Sequence, residues 1–264
     1  MTTTTPVVVV TGASAGIGAA AARRFGREGY RVALAARRRD RLEQVAATLQ
    51  ELGADALVVP TDVRDPQQVQ RLADAVAQAW GRVDVLVNNA GLGRLAPLTA
   101  LDPVDDILLQ IQVNLTGAIW VARAFLPLMQ AQRRGVIVNV ASVAGWVGLP
   151  HYTVYAATKF GLRGFTEALR REVRPAGIRV VGLYPGPVRT EFGQHAFKDP
   201  TARPRASRWG RRLVLSAEDM AEVIWRVAQR PRRGVLSPWW MGPLVWLNTH
   251  FPGLSDRIIT RAMR

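Results

Sequence analysis

Of the 35 basic residues in this chain only two, Lys159 and Lys198, are lysines. The first stands four residues after a tyrosine, in Tyr155-Ala156-Ala157-Thr158-Lys159. On a helix that spacing sends both side chains out from one face. An ammonium favours a phenolate beside it, so Lys159 is expected to draw the Tyr155 pKa down from its ordinary value of about 10. A phenol tuned in this way is a usable acid or base near neutral pH. Lysine suits the task better than arginine, because its compact ammonium changes pKa readily whereas a guanidinium stays charged. Tyr-x3-Lys alone also arises by chance, so the rest of the chain must decide.

Composition removes several alternatives. Cysteine is absent, which excludes disulfides, thiol catalysis and Cys-ligated metals. The three histidines, His151, His195 and His250, show no paired metal spacing, and no metal site is expected. A net charge of +15 raises the question of nucleic acid. The arginines are spread along the chain, however, and no aromatic-plus-basic module accompanies them, so nucleic acid is not the expected partner. Val7 to Val10 is too short for a signal-peptide core, and no run approaches the length of a membrane span. A cytoplasmic protein is the simplest expectation.

The elements that must position the tyrosine and lysine alternate along the chain. Short β-branched runs at 7–11, 31–36, 56–61, 83–88, 135–141 and 178–184 read as strands buried on both faces. Helical patterns fall near 17–28, 40–52, 66–80, 102–131 and 153–174. Asp40 and Asp65-Pro66 are expected helix starts, and Gly53 and Gly177 expected stops. Six such alternations predict an α/β fold: one Rossmann-type, doubly wound parallel sheet with helices on both faces. No linker divides residues 1–264, which are expected to form a single dinucleotide-binding and catalytic domain. From Gly234 onward the chain becomes rich in Trp and Pro and shows no clear strand–helix period.

Thr11-Gly12-Ala13-Ser14-Ala15-Gly16-Ile17-Gly18 follows the first strand and opens the first helix. Glycines permit a tight turn and close approach to a pyrophosphate, and the helix N-terminus offers unpaired N–H groups. In an NAD site an acidic residue about twenty positions on holds the ribose 2′-hydroxyl. This chain has Ala36-Arg37-Arg38-Arg39 there, with no carboxylate before Asp40. Positive charge at a helix start opposes the helix dipole, which an anion would relieve. Arg37 and Arg38 therefore point to the 2′-phosphate of NADP(H), against the plainer reading of a solvated basic corner.

With Gly12, Gly16, Gly18, Asn88-Asn89-Ala90-Gly91, Asn114, Ser142, Tyr155 and Lys159 in this order, the chain resembles the short-chain dehydrogenase/reductase family over about residues 7–192. The resemblance implies hydride transfer between a nicotinamide and an alcohol or carbonyl. It implies Tyr155 as general acid or base, Lys159 on the nicotinamide ribose and lowering the Tyr155 pKa, Ser142 on the substrate oxygen, and Asn114 tying a water to Lys159. It further implies cofactor contacts from Ser14, Ile17, Asn89, Ala90 and Gly91. In Tyr184-Pro185-Gly186-Pro187-Val188-Arg189-Thr190, the residues Pro185, Gly186, Val188 and Thr190 would line the cofactor. Asp62 and Val63 resemble an adenine-contacting pair; the rival reading is a cap for the helix near Pro66. A non-catalytic NADP(H) sensor on the same fold is the alternative, though it would need only the glycine loop.

Trp146, Val147, Leu149, His151, Val154, Val188 and Phe192 are expected to wall an apolar substrate pocket for a hydrophobic carbonyl or alcohol. Residues 193–214, with Arg203, Arg205, Arg208, Arg211 and Arg212, would form a basic lid, suited to an anionic-ended substrate or simply solvated. The family implies a homodimer or homotetramer through the fourth and fifth helices. The extension 234–264, with Trp239, Trp240, Trp246, Phe251, Arg257, Arg261 and Arg264, suits a subunit contact, a pocket cap or peripheral membrane contact alike.

Overall fold

Four consecutive valines, Val7–Val10, are wholly inaccessible to solvent, which requires apolar cover on both faces of the first strand. Strand β1 (Val7–Thr11) supplies Val8 and Val10 to one face and Val7 and Val9 to the other. The computed structural model describes residues 5–196 and 214–262, with only the backbone of Gln194 and His195. The 193–214 lid expectation therefore lies largely outside the described residues.

The strands β2 (Arg31–Ala36), β3 (Ala56–Pro60), β4 (Val85–Asn88), β5 (Gly135–Val140), β6 (Ile178–Pro185) and β9 (Gly234–Ser237) join β1 in one parallel sheet. Its order is β3-β2-β1-β4-β5-β6-β9. A two-residue pair, β7 (Val188–Arg189) with β8 (Leu215–Ser216), lies outside it. The doubly wound parallel architecture expected from the sequence is the one observed.

Helices α1 (Gly16–Arg27), α2 (Arg39–Glu51) and α7 (Ala217–Gln229) cover the Val8/Val10 face. Phe25, Tyr30 and Trp225 meet edge to face there, with centroids 5.1–5.6 Å apart. Helices α3 (Pro66–Trp80), α4 (Pro103–Gln132) and α5 (Thr153–Val173) cover the other face through Leu72, Val76, Phe125, Met129 and Leu169. Helix α4 is the one described helix long and apolar enough to cross a membrane, yet Val121, Phe125 and Met129 bury it against the sheet.

Punctuation follows the sequence closely. Asp65 caps α3 by accepting from the N–H groups of Gln67 and Gln68, so the cap is not Asp62. Gly53 and Gly177 stand at positive φ where helical segments stop. Buried Asp84 accepts from Arg82, Arg134 and the Val7 N–H, pinning the starts of β1 and β4 together.

Two departures lie downstream of residue 214. Helix α7 was not expected, although Ser216 and Asp219 form a reciprocal capping box ahead of Met220, Ala221, Ile224, Val227 and Ala228. That spacing is the apolar stripe of a helix. The extension assigned to 234–264 is also not a separate tail at its start, because β9 pairs with β6 and completes the sheet. Only then do α8 (Gly242–His250) and α9 (Pro252–Ala262) follow. A four-residue edge strand is too short to show a period in the sequence; pairing to β6 is what makes it a strand.

Candidate active site

The strand order reverses beside β1: β2 and β3 lie on one side, β4 and β5 on the other. A crevice opens at the carboxyl ends of the strands at such a point, and it is where ligands bind in open α/β sheets. The loops leaving β1 and β4 meet there. Thr11, fully buried, accepts through its hydroxyl from the N–H groups of Asn89 (2.9 Å) and Ala90 (3.0 Å). Asn89 Nδ2 returns a bond to the Thr11 carbonyl at 3.0 Å. Deeper in the sheet, Asn88 donates to the Ala118 carbonyl and to Asn139 Oδ1, and Asn139 in turn donates to Thr166. These buried amides are satisfied, as burial demands.

The glycine loop fits a dinucleotide pyrophosphate. Gly12 and Gly16 stand at φ +67° and +53°, a region L side chains rarely adopt. A Cβ on Gly18 would lie 2.2 Å from the Gly12 carbonyl oxygen, so the helix can start this close to the strand only with glycine. The N-terminus of α1 has no side-chain cap and no acid in its first turn. Its N–H groups and positive dipole end are therefore left for an anion. Ser14 belongs to this turn, and Ile17 packs beneath it against the core. Thr190 lies above, its Cγ2 at 3.2 Å from where a Gly16 Cβ would be.

Beyond the loop, Ser14, Arg41, Gln44 and Glu191 line a cavity of about 260 Å³. Arg38, the uncapped N-cap of α2, reaches Ser14 Oγ at 3.3 Å and Glu191 at 3.5 Å. Arg37 is exposed and faces Asp62. Burial would raise the Asp62 pKa, but bonds from Arg64 and the charge of Arg37 leave it below the ordinary carboxylate value. The Asp62 carboxylate is held by Arg64, while Val63 is buried against Gly117 of α4.

Tyr155 and Lys159 both lie on α5 and are both buried, 8% and 4% exposed. Lys159 Nζ donates to the Val140 carbonyl at 3.2 Å and sits 5.6 Å from the Tyr155 ring centroid. Burial lowers the Lys159 pKa to about 8. Burial likewise pushes Tyr155 up to about 12, with the Ser142 hydroxyl pulling it down and Tyr152 adding to the rise. The expected depression of the tyrosine by the lysine is thus not what the protein's own groups produce. The ammonium is itself desolvated and turned to a backbone carbonyl, so burial outweighs its attraction for a phenolate.

Ser142 follows β5 by two residues and caps the short turn Val143–Gly145 by accepting from the Ala144 N–H. Asn114 lies in a π-helical stretch of α4, Gln112–Thr116, a kind of irregularity frequent at functional sites. Its amide brackets Leu92, accepting from the N–H and donating to the carbonyl, both at 2.8 Å, and also donates to Thr158 Oγ1. Asn114 therefore ties the β4 loop to α5 between the tyrosine and the lysine. Gly91 leaves room here: its Cβ would stand 3.3 Å from Asn114 Oδ1 and 3.6 Å from Lys159 Nζ.

The expected pocket wall divides. Phe192 packs 5.7 Å from the Tyr155 ring, on the short helix α6 (Glu191–His195). Leu95, Ala144, Tyr152 and Ala196 complete that cluster, and of these the sequence reading named none. Leu149 and His151 flank the turn before α5, where the Leu149 carbonyl accepts from Tyr152 and that of His151 from Ala96. Val154 joins Ala96 and Leu101, and Val147 is buried. Trp146 instead packs edge to face on Tyr184 at 5.5 Å, under the Arg163 guanidinium at 3.3 Å. Val188 packs on the α1 side of the sheet. Pro185 and Gly186 close β6, with the Gly186 N–H bonded to the Ser237 carbonyl at 2.7 Å. Thr11 and Thr158, quoted only as members of the motifs, and Asn248, which donates to the Trp146 carbonyl, were given no role. They are polar residues scattered in sequence, and only the fold brings them together.

The lysine assignment has a pH consequence. Below about pH 8 both folded and unfolded chains carry the Lys159 proton, and the folded state bears the full desolvation penalty. Between about 8 and 10.5 the folded state loses its proton first, so this contribution to stability rises with pH. Tyr155 acts oppositely: its contribution is full below 10 and lost as pH climbs through about 12. Lys159→Met is expected to melt above the wild type at neutral pH, by a margin that shrinks towards about pH 10. A margin independent of pH in parallel thermal melts would show that the ammonium is not desolvated.

Comparison with known proteins agrees with this geometry. The model of the short chain dehydrogenase family matches residues 6–201. The NADP-dependent 3-hydroxy acid dehydrogenase of Salmonella typhi is 35% identical over 250 residues, 94% of this chain and 98% of that protein. A short-chain dehydrogenase/reductase from Burkholderia phymatum, solved with NAD, superposes with TM-score 0.84 at 31% identity, over 95% of each chain. An alcohol dehydrogenase from the archaeon Thermococcus sibiricus, complexed with 5-hydroxy-NADP, gives 0.77 at 31% identity over 88% of this chain and 95% of that one. The chain belongs to the short-chain dehydrogenase/reductase family of oxidoreductases.

Proposed function

We propose that this protein is an NADP(H)-dependent enzyme interconverting a carbonyl and an alcohol on a hydrophobic, anionic-ended substrate. The observation that carries the reading is the meeting of half-buried Ser142 with buried Tyr155 and Lys159 near an uncapped helix N-terminus at the switch point. The nicotinamide cofactor, when bound, supplies or accepts hydride. Tyr155, held protonated by burial at neutral pH, is poised to give its proton to the substrate oxygen in the reductive direction. The Ser142 hydroxyl donates to the same oxygen as negative charge develops there. Lys159, oriented by the Val140 carbonyl, holds the ribose hydroxyls. Asn114, whose side chain is held by Leu92 and Thr158, would tie a water to Lys159.

Arg37 and Arg38 at the end of β2, with no carboxylate there, support NADP(H) over NAD(H). The similar proteins include an NADP-dependent enzyme, one complexed with 5-hydroxy-NADP and one solved with NAD. Arg37→Asp is expected to weaken NADPH use by about tenfold or more and to leave NADH use nearly unchanged. Equal losses in kcat/KM with both cofactors would refute the 2′-phosphate contact.

Tyr155→Phe separates the enzyme from the alternative, a protein that only senses NADP(H). Turnover should fall by about a hundredfold or more with cofactor binding retained. A variant as active as the wild type would sink the role given to the phenol.

The substrate class rests on the apolar cluster around Tyr155, on the arginines of 203–212 and on the 3-hydroxy acid activity of the Salmonella typhi relative. Paired ketones differing only in a terminal carboxylate should show the higher kcat/KM for the anion; no preference would dismiss the charged end. Exposed Val104, Leu108 and Ile111 on α4, with Phe160 on α5, offer apolar surface for a homodimer or homotetramer.

A further inference from the structure

Helices α8 and α9 reverse the usual arrangement of a surface helix. A globular protein turns apolar side chains inward and polar ones to water. Here Ser255 is 1% exposed and donates to Asn248 Oδ1 at 3.0 Å, while Asn248 donates to the Trp146 carbonyl at 3.1 Å. The polar residues thus anchor the pair to the body of the protein, helped by buried Met241 and Val245. The outer side carries Trp246, Phe251, Leu254 and Ile258, each about half exposed, beside Trp239 at 81%. The Trp246 ring contacts Phe251 at 5.6 Å and stacks on His250 at 5.0 Å, so the aromatic part is continuous.

Arginines are interleaved with this apolar surface. Leu254, Arg257, Ile258 and Arg261 follow i, i+3, i+4, i+7 spacing and form one stripe of α9. All four are exposed, and among the described residues neither arginine has an ion pair. From Pro238 to the C-terminus there is one acid, Asp256, against Arg257, Arg261 and Arg264. Asp256 lies off the stripe.

We infer that this face docks the enzyme on an anionic lipid bilayer. The occupant must accept indole and branched aliphatic groups and at the same time balance two arginines. A headgroup region with anionic lipid does both, since tryptophan settles at the boundary and each arginine is drawn by the surface potential. A second copy of the same face would set arginines against arginines in a chain of net charge +15. Neither helix is long enough to cross the bilayer, so the contact lies in the interface plane.

Flotation of the full-length protein tests the inference. Vesicles of phosphatidylcholine mixed with phosphatidylglycerol are expected to carry the protein up, and pure phosphatidylcholine vesicles to carry far less. Raised salt and Arg257→Glu with Arg261→Glu should each cut the anionic binding by about tenfold or more. Leu254→Ser with Ile258→Ser should also cut it, and circular dichroism and dehydrogenase activity should stay at wild-type values in both double variants. Absence of flotation on either vesicle would overturn the inference, as would equal flotation on both. A fall in solution mass by light scattering in Leu254→Ser with Ile258→Ser, without vesicle binding by the wild type, would assign the face to a second copy instead.

Discussion

The site depends on burying an ammonium that no carboxylate among the described residues neutralises. Lys159 is 4% exposed, and burial is what lowers its pKa to about 8. Such a charge persists inside a protein only where polar groups replace its hydration. Here the Val140 carbonyl accepts from it, and Gly91 keeps the space beside it open. Gly145 lets the Ser142 turn pack close on the α5 backbone, since a Cβ there would fall 2.7 Å from the Lys159 carbonyl oxygen. An ammonium fixed in a dry place is a ready partner for the hydroxyls of a sugar. The same dryness holds the neighbouring phenol protonated, so the acid role proposed for Tyr155 would rest on burial rather than on pairwise attraction.

Everything that keeps this arrangement rigid is polar and remote in sequence. Thr11 and Asn89 join the loops after β1 and β4; Asn114 joins the β4 loop to α5; Asn88, Asn139 and Thr166 join the strands to the helix beneath. Each bond is worth little alone, and each is expensive to leave unmade in the interior. The network therefore specifies position more than it adds stability. The π-helical stretch around Asn114 belongs to the same scheme, because a regular helix would turn that side chain elsewhere.

The C-terminal helices place the face proposed for lipid docking in contact with the segment that follows Ser142. Asn248 holds the Trp146 carbonyl, four residues beyond Ser142, and Arg163 covers the Trp146 ring. The segment that carries the serine is thus braced by the helix pair whose outer face is apolar and basic. Val104, Leu108 and Ile111 on α4 and Phe160 on α5 are exposed apolar residues outside that pair.

The local sequence determined the parallel α/β sheet, the glycine loop, the Ser142, Tyr155 and Lys159 set and the basic end of β2. Those signals are short-range: runs of β-branched residues, a fixed i, i+4 spacing, glycines at a strand-to-helix turn. The short strand β9, the division of the pocket wall between Phe192 and Trp146, and the direction of the Tyr155 shift were decided by tertiary structure alone. Each is set by what lies opposite in space: β6 for the strand, Tyr184 and Arg163 for the tryptophan, and the depth of apolar cover for the phenol. Spacing can place an ammonium beside a tyrosine, but solvent exclusion depends on the packing of every chain segment around it, and no local pattern encodes that sum.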